Sequence, residues 1–175
     1  MIPPSPLTVA FRTFLVVVVA LTLQLGMASS ITFFGVQGDL LLLIAIAAGI
    51  AAGPDRGAAI GFGAGLAYDL MLQTPFGLSA LTYALVAYLV GSLQDSVLRA
   101  AWWIPVATAT AATMLGVILY GVLGTVVGED LVGWDLLRIA LLVAVMNTIA
   151  APFVVRTMRW ATGSANSVRA RAVYR

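Results

Sequence analysis

The sequence predicts an all-α integral membrane protein with six transmembrane helices, and three observations support this prediction. Of the 175 residues, 62% are hydrophobic and only 9% are charged, whereas a soluble domain carries about 25% charged residues. Six apolar segments come close to the roughly 20 residues that a membrane-spanning helix needs. Turn-forming stretches rich in Gly, Pro or acidic residues separate several of these segments.

The six predicted spans follow one another with short connections. They comprise residues 7–29, 39–53, 57–73, 76–93, 102–127 and 135–160. Pro54 lacks an N–H and clashes with the preceding helical turn, so the second span is expected to break at residues 53–56. Similar turns are expected around Pro75 and at residues 128–130. Residues 1–160 are thus predicted to form one membrane domain, followed by a basic, disordered cytoplasmic tail at 161–175.

The distribution of arginines predicts the orientation of the chain. Basic residues favour the cytoplasmic side of a membrane. With a cytoplasmic N-terminus, eight of the nine arginines lie inside and only Arg138 lies outside. All four tryptophans then fall at predicted membrane interfaces, where aromatic side chains are favoured. Both termini are therefore expected to be cytoplasmic.

The composition also removes several chemistries. The chain has no Cys, His or Lys, so thiolate, imidazole and lysine-based catalysis are excluded, together with the commonest metal ligands. We therefore predict no catalytic residue, no cofactor site and no metal site. The partners expected from composition alone are the lipid bilayer and other membrane helices, not nucleic acid.

Small residues recur every four positions on the second and third predicted spans. The positions are Gly49 and Gly53 on the second span, and Gly57, Gly61 and Gly65 on the third. Four residues turn a helix by roughly 400°, so each series forms one ridge where another helix backbone can approach closely. Two interpretations remain open. The ridge packs inside the bundle, or it docks a helix of a partner protein.

Asp69 continues the glycine ridge of the third span. A carboxylate at bilayer depth is costly and is usually paired. Arg138, one turn into the sixth span, lies in the same outer half of the membrane. We therefore predict that Asp69 pairs with Arg138. The alternative is that Arg138 pairs locally with Asp135, three residues before it.

Other polar residues also fall within the predicted spans, namely Gln24, Tyr83, Tyr88, Asn147 and Thr148. Asn147 and Thr148 precede Pro152, and polar groups at such a place commonly satisfy the backbone of a proline kink. The alternative is that they line a substrate cavity.

Asp39, at the start of the second span, is interpreted as a helix N-cap. The rival interpretation pairs Asp39 with Asp69 as an intramembrane aspartyl protease. Such a site needs two carboxylates about 3 Å apart.

The stretch from residue 38 to 91 resembles a known family. It contains Asp39-Leu40 at the opening of the second span, Arg56-Gly57 after a tight turn, a G-F-x-x-G-L-x-x-D helix from Gly61 to Asp69, and an x-x-G-x-x-A-L turn through Gly77 into a helix with Tyr88, Leu89 and Gly91 near its end. These motifs, with the chain length and the six-span plan, resemble the bacterial rod shape-determining family MreD.

The resemblance implies a non-enzymatic inner-membrane component of the cell-elongation (rod) complex, or elongasome, involved in cell shape and lateral peptidoglycan synthesis. It implies an MreC-like bitopic partner, and a peptidoglycan synthase pair (RodA and a class B penicillin-binding protein) and MreB as indirect partners. It also implies a fold similar to the substrate-binding subunits of energy-coupling-factor transporters. A vitamin-binding subunit of such a transporter is the alternative function that this fold would permit.

Overall fold

A computed structural model describes residues 5–27, 35–72, 75–97, 103–128 and 133–163. Within them the chain forms six α-helices: α1 (Pro6–Met27), α2 (Leu40–Ala52), α3 (Pro54–Asp69), α4 (Leu78–Val97), α5 (Ile104–Val126) and α6 (Trp134–Ala161). Each helix overlaps one predicted apolar segment, so the prediction of an all-α chain with six helices is confirmed for this part of the protein. The predicted tail lies outside the described residues beyond residue 163.

The helices differ in length. Three are long and apolar enough to cross a membrane, over Pro6–Gly26, Ile104–Val126 and Asp135–Ala161. The apolar stretches Leu40–Ala52 and Leu78–Leu93 are shorter. At a rise of about 1.5 Å per residue, α2 extends only about 20 Å, less than the roughly 30 Å of bilayer hydrocarbon. The chain is therefore a membrane protein, and a full crossing by each of the six helices stays a prediction.

α2 is the central helix of the bundle. All residues from Leu41 to Ala51 are buried, and α2 contacts each of the other five helices. A helix that is apolar on every side is expected in such a position, and this explains why α2 has no polar face. α1 lies at the periphery, because only Thr13, Ala20 and Gln24 are buried among its residues 6–26.

The connection between α2 and α3 is a single residue. Gly53 has a φ of 87°, a left-handed conformation that glycine adopts readily. The predicted helix break is confirmed at Gly53, but Pro54 already begins α3, so the break is one residue long and not four. The physical reason is that the first helical position needs no N–H and suits the fixed φ of proline. A Cβ at Gly53 would meet no atom within 4 Å, so glycine is needed here for the left-handed turn and not for room on its side-chain face.

The glycine ridge of α3 faces α2 and α4. A Cβ at Gly57 would lie 2.6 Å from the Cα of Gly49, and a Cβ at Gly65 would lie 2.5 Å from the Cα of Ala80. Side chains do not approach backbone atoms this closely, so only glycine allows the observed packing. Gly49 is in turn pressed against the backbone of α4. Helices of the same chain therefore occupy this ridge, and a partner helix would have to displace them.

Two further glycines tighten the packing of α4. A Cβ at Gly61 would lie 2.7 Å from the carbonyl oxygen of Tyr83, and a Cβ at Gly91 would lie 2.5 Å from the nitrogen of Pro54. The packing role of Gly91 was not predicted from the sequence, because Gly91 belongs to no series of glycines spaced four residues apart. Its role follows from the position of the α2–α3 turn, which sits directly against α4.

We expect Gly65→Ala to lower the free energy of unfolding by about 1–3 kcal/mol, because the new methyl group forces α3 away from α4. Gly63→Ala is the matched control. Gly63 is exposed on the same helix, and a Cβ there meets nothing within 4 Å. This control should be neutral or stabilising by up to about 1 kcal/mol through helix propensity. Thermal unfolding in a mild detergent measures both, and equal tolerance of the two changes would contradict the close packing of α3 on α4.

A buried polar cluster as candidate functional site

Side chains from five helices and from the residue that caps α2 meet around the start of α2. This polar cluster comprises Gln24 of α1, Asp39 before α2, Tyr68 of α3, Tyr83 of α4, Thr113 of α5 and Asn147 of α6. Four of its members, Gln24, Tyr83, Thr113 and Asn147, are more than nine-tenths buried. The cluster is therefore an internal feature of the bundle.

The Asp39 carboxylate lies at the centre of the cluster. Its Oδ1 accepts a hydrogen bond of 2.9 Å from the N–H of Leu42, and its Oδ2 accepts one of 2.7 Å from the hydroxyl of Tyr83. The interpretation of Asp39 as the N-cap of α2 is confirmed. A negative group at this position also interacts favourably with the helix dipole. One carboxylate thus caps α2 and holds α4.

Gln24 attaches α1 to the same point. Its Nε2 donates to the carbonyl of Gly38 and its Oε1 accepts from the N–H of Leu40, both at 2.9 Å. The side chain of Tyr68 on α3 lies beside Gln24. The first N–H groups of a helix have no partner within the helix. Here, side chains from outside α2 supply the missing acceptors.

Asn147 joins α6 and α5 to the cluster. Its Nδ2 donates to the carbonyl of Asp39 at 2.9 Å and to Oγ1 of Thr113 at 3.4 Å. Next to it, the hydroxyls of Thr148 and Thr110 lie 2.6 Å apart. The side chains of Asn147 and Thr148 connect neighbouring helices.

Thr148 also donates to the carbonyl of Ala144 within α6, at 2.6 Å. These contacts test neither kink satisfaction at Pro152 nor cavity lining by Asn147 and Thr148, and both stay predictions.

Asp69 occupies a second buried position, where it caps α4. Its carboxylate is 3% exposed and accepts from three backbone N–H groups, those of Gly77 at 3.0 Å and of Ser79 and Ala80 at 3.2 Å. The predicted pairing with Arg138 was wrong. Three N–H groups and the positive end of α4 already stabilise the carboxylate.

Arg138 lies on the exposed side of α6. In the described part of the chain it forms no ion pair with Asp69 or with Asp135, which is also exposed. Tyr88, another polar residue within a predicted span, is 47% exposed and lies outside the cluster.

The two buried carboxylates do not form an aspartyl-protease pair. Asp39 and Asp69 bind donors at the starts of two different helices, and no hydrogen bond joins them in the described residues. Among these residues there is also no group of three or more His, Cys, Asp or Glu side chains that could hold a metal ion. The hydrogen bonds of the cluster join its members to one another and to the nearby backbone, so these contacts connect the helices structurally.

Three members or neighbours of the cluster, Tyr68, Thr113 and Tyr120, could not be recognised from the sequence. Tyr120 lies close enough to Tyr68 and Tyr83 to interact electrostatically with both. No signal in the sequence groups Tyr68 and Thr113 with Gln24 and Asn147, because the four residues do not lie at one common distance from the outer ends of their predicted spans.

The fold and the cluster define a polytopic helical membrane protein whose helices are joined by internal polar contacts. The chain belongs to the MreD family: the family model, described as rod shape-determining protein MreD, matches residues 7–160. This membership assigns the chain a role in rod shape determination. No curated protein and no solved structure matches the chain. Its similarity to energy-coupling-factor subunits stays a prediction.

We expect Asp39→Ala to lower the free energy of unfolding by about 2–4 kcal/mol, because it removes the cap of α2 and leaves the Tyr83 hydroxyl without its acceptor. The double variant with Tyr83→Phe should lose less unfolding free energy than the two single variants together, since it has no Tyr83 hydroxyl left without an acceptor. Asp135→Ala, at an exposed acid in the first turn of α6, is the control and should change stability by less than about 0.5 kcal/mol. If the loss in the double variant equals the sum of the losses in the two single variants, Asp39 and Tyr83 do not interact.

For the second carboxylate, Asp69→Ala is expected to cost about 3 kcal/mol or more, since three N–H groups at the start of α4 lose their acceptor. Arg138→Gln should cost less than about 0.5 kcal/mol. Thermal unfolding of the purified protein compares the two. If both variants lose the same unfolding free energy, and if exchanging Asp69 and Arg138 restores it, the ion pair is supported instead.

Proposed function

We propose that the chain is a non-enzymatic scaffold in the bacterial inner membrane that docks transmembrane helices of the cell-elongation complex. In this role it regulates cell shape and lateral peptidoglycan synthesis. Family membership supports the part of the proposal that concerns shape. The observation that favours a scaffold is the polar cluster, in which Gln24, Asp39 and Asn147 bond to neighbouring helices and backbone. Such a network gives the bundle a fixed shape on which partners can assemble.

The expected partners are an MreC-like bitopic protein, acting directly, and RodA, a class B penicillin-binding protein and MreB, acting through the complex. The glycine ridge is occupied within the chain, so these partners need another surface. Two outward apolar ridges are available, each with side chains four residues apart. The α4 ridge is Leu81, Leu85, Leu89 and Leu93, and the α6 ridge is Leu141, Val145 and Ile149. Ridges of this spacing pack into the grooves of a second helix.

The proposed orientation places both termini in the cytoplasm. Among the described residues, Arg12, Arg56, Arg156 and Arg159 lie towards the start of α1, the start of α3 and the end of α6, where the proposal puts the cytoplasmic side. Arg138 lies near the start of α6, at the other end. This bias supports the orientation through the preference of basic residues for the cytoplasmic side.

Gentle-detergent co-purification of the tagged protein from its own host, read by mass spectrometry, tests the proposal. We expect recovery of a bitopic MreC-like protein together with wall-synthesis enzymes. Recovery of paired ATPases with a membrane coupling subunit would contradict the scaffold and favour the vitamin-import alternative.

The absence of native cysteine allows the docking surface to be mapped by single introduced cysteines. We expect crosslinks to the bitopic partner from Leu89→Cys on the α4 ridge or Ile149→Cys on the α6 ridge. Ala47→Cys, at a fully buried position of α2, is the control and should give none. If neither ridge crosslinks while the partner co-purifies, docking on these ridges is excluded.

Single cysteines also test the orientation. Gly133→Cys should react with an impermeant maleimide added outside the membrane, and Ser5→Cys should not. The reverse pattern of labelling would contradict the proposed orientation.

A further inference from the structure

Positive charge and aromatic surface meet where the start of α1 packs against the end of α6. The guanidinium carbon of Arg12 lies 4.7 Å from the centroid of the Trp160 ring. Arg156 is four residues before Trp160 and therefore lies on the same face of α6. Arg156 and Trp160 are both exposed. Two cationic side chains and an indole ring thus share one surface of the bundle.

The elements that form this surface supply little negative charge. α1 contains no acidic residue. The only acidic residue of α6 is Asp135, which lies 21 positions before Arg156, or about 30 Å along the helix. At the same end of the bundle, Asp55 of α3 is followed directly by Arg56. The cation–π contact orients the Arg12 guanidinium but leaves its charge in place. A surface of this kind favours an external anion.

The apolar surroundings indicate what kind of anion fits. Phe153, three residues before Arg156, is 75% exposed, and the exposed side chains one and two turns after Arg12 on the same face of α1 are Leu15 and Val19. This surface carries positive charge at the end of the bundle and apolar side chains next to that charge along the helices. It therefore fits an anion that has a hydrocarbon tail. Basic pockets between transmembrane helices bind phospholipid headgroups, and arginine forms bidentate hydrogen bonds with phosphate.

We propose that Arg12, Arg156 and Trp160 form a binding site for the phosphate of an anionic phospholipid, whose acyl chains lie along Phe153 and the exposed face of α1. The lipid joins α1 to α6 near the N-terminal end of α1, whereas Gln24 attaches the C-terminal end of α1 to the bundle. This second attachment matters for α1, because few of its side chains are buried in the bundle.

Thermal unfolding of the full chain in neutral detergent tests the site, with phosphatidylglycerol added at increasing concentration. Parallel titrations use phosphatidylcholine and inorganic phosphate. We expect phosphatidylglycerol alone to raise the melting temperature. Arg156→Gln should weaken its apparent affinity about fivefold, and the double variant with Arg12→Gln about 25-fold, the equivalent of about 1 kcal/mol for each arginine. Arg138→Gln, at the opposite end of α6, should leave the affinity unchanged.

Three results would overturn the proposal. Equal stabilisation by phosphatidylcholine would show that charge is not recognised. Equal stabilisation by inorganic phosphate would show that the ligand is a free anion and not a lipid. Equal weakening by Arg138→Gln would show a general charge effect. Arg156→Gln leaves the contact of Arg12 with Trp160 intact, so this variant remains informative if the Arg12→Gln protein does not fold.

Discussion

The start of α2 imposes the constraint on which the rest of the bundle depends. The first N–H groups of any helix lack partners within the helix, and in water the solvent supplies them. α2 begins inside a bundle of apolar helices, where every backbone group must be satisfied by protein. The carboxylate of Asp39 and the amide of Gln24 supply the acceptors. The hydroxyl of Tyr83 and the amide of Asn147 then bond to Asp39 itself. Capping one central helix thereby fixes the positions of helices around it.

The same solution appears at the start of α4, where Asp69 accepts three backbone N–H groups. Both buried acids therefore stabilise helix starts. A helix N-terminus offers a carboxylate several oriented donors and the positive end of a dipole, with no long side chain to immobilise. This explains how a chain with 9% charged residues holds carboxylates in its interior without a buried arginine beside them.

The sequence predicts well what depends on local chemistry. The six helices follow from apolar segments of sufficient length, and the Asp39 cap involves a residue only three positions away. The partner of Asp69 could not be predicted in the same way, since a carboxylate is satisfied equally by a cation or by backbone N–H groups, and the sequence does not show which backbone groups are free. The contacts of Gln24 and Asn147 span 14 and 108 residues. They depend on how the helices are arranged in space, and hydropathy does not specify that arrangement.

The bond from Asn147 to the carbonyl of Asp39 has a consequence for biosynthesis. Its two ends are 108 residues apart, and synthesis at about 5–20 residues per second places them about 5–20 seconds apart in time. For that interval the nascent chain contains a central helix that is too short to reach across the hydrocarbon and lacks one of its neighbours. A chain that ends before residue 147 therefore lacks both the bond from Asn147 to Asp39 and the α6 contacts that help to bury α2.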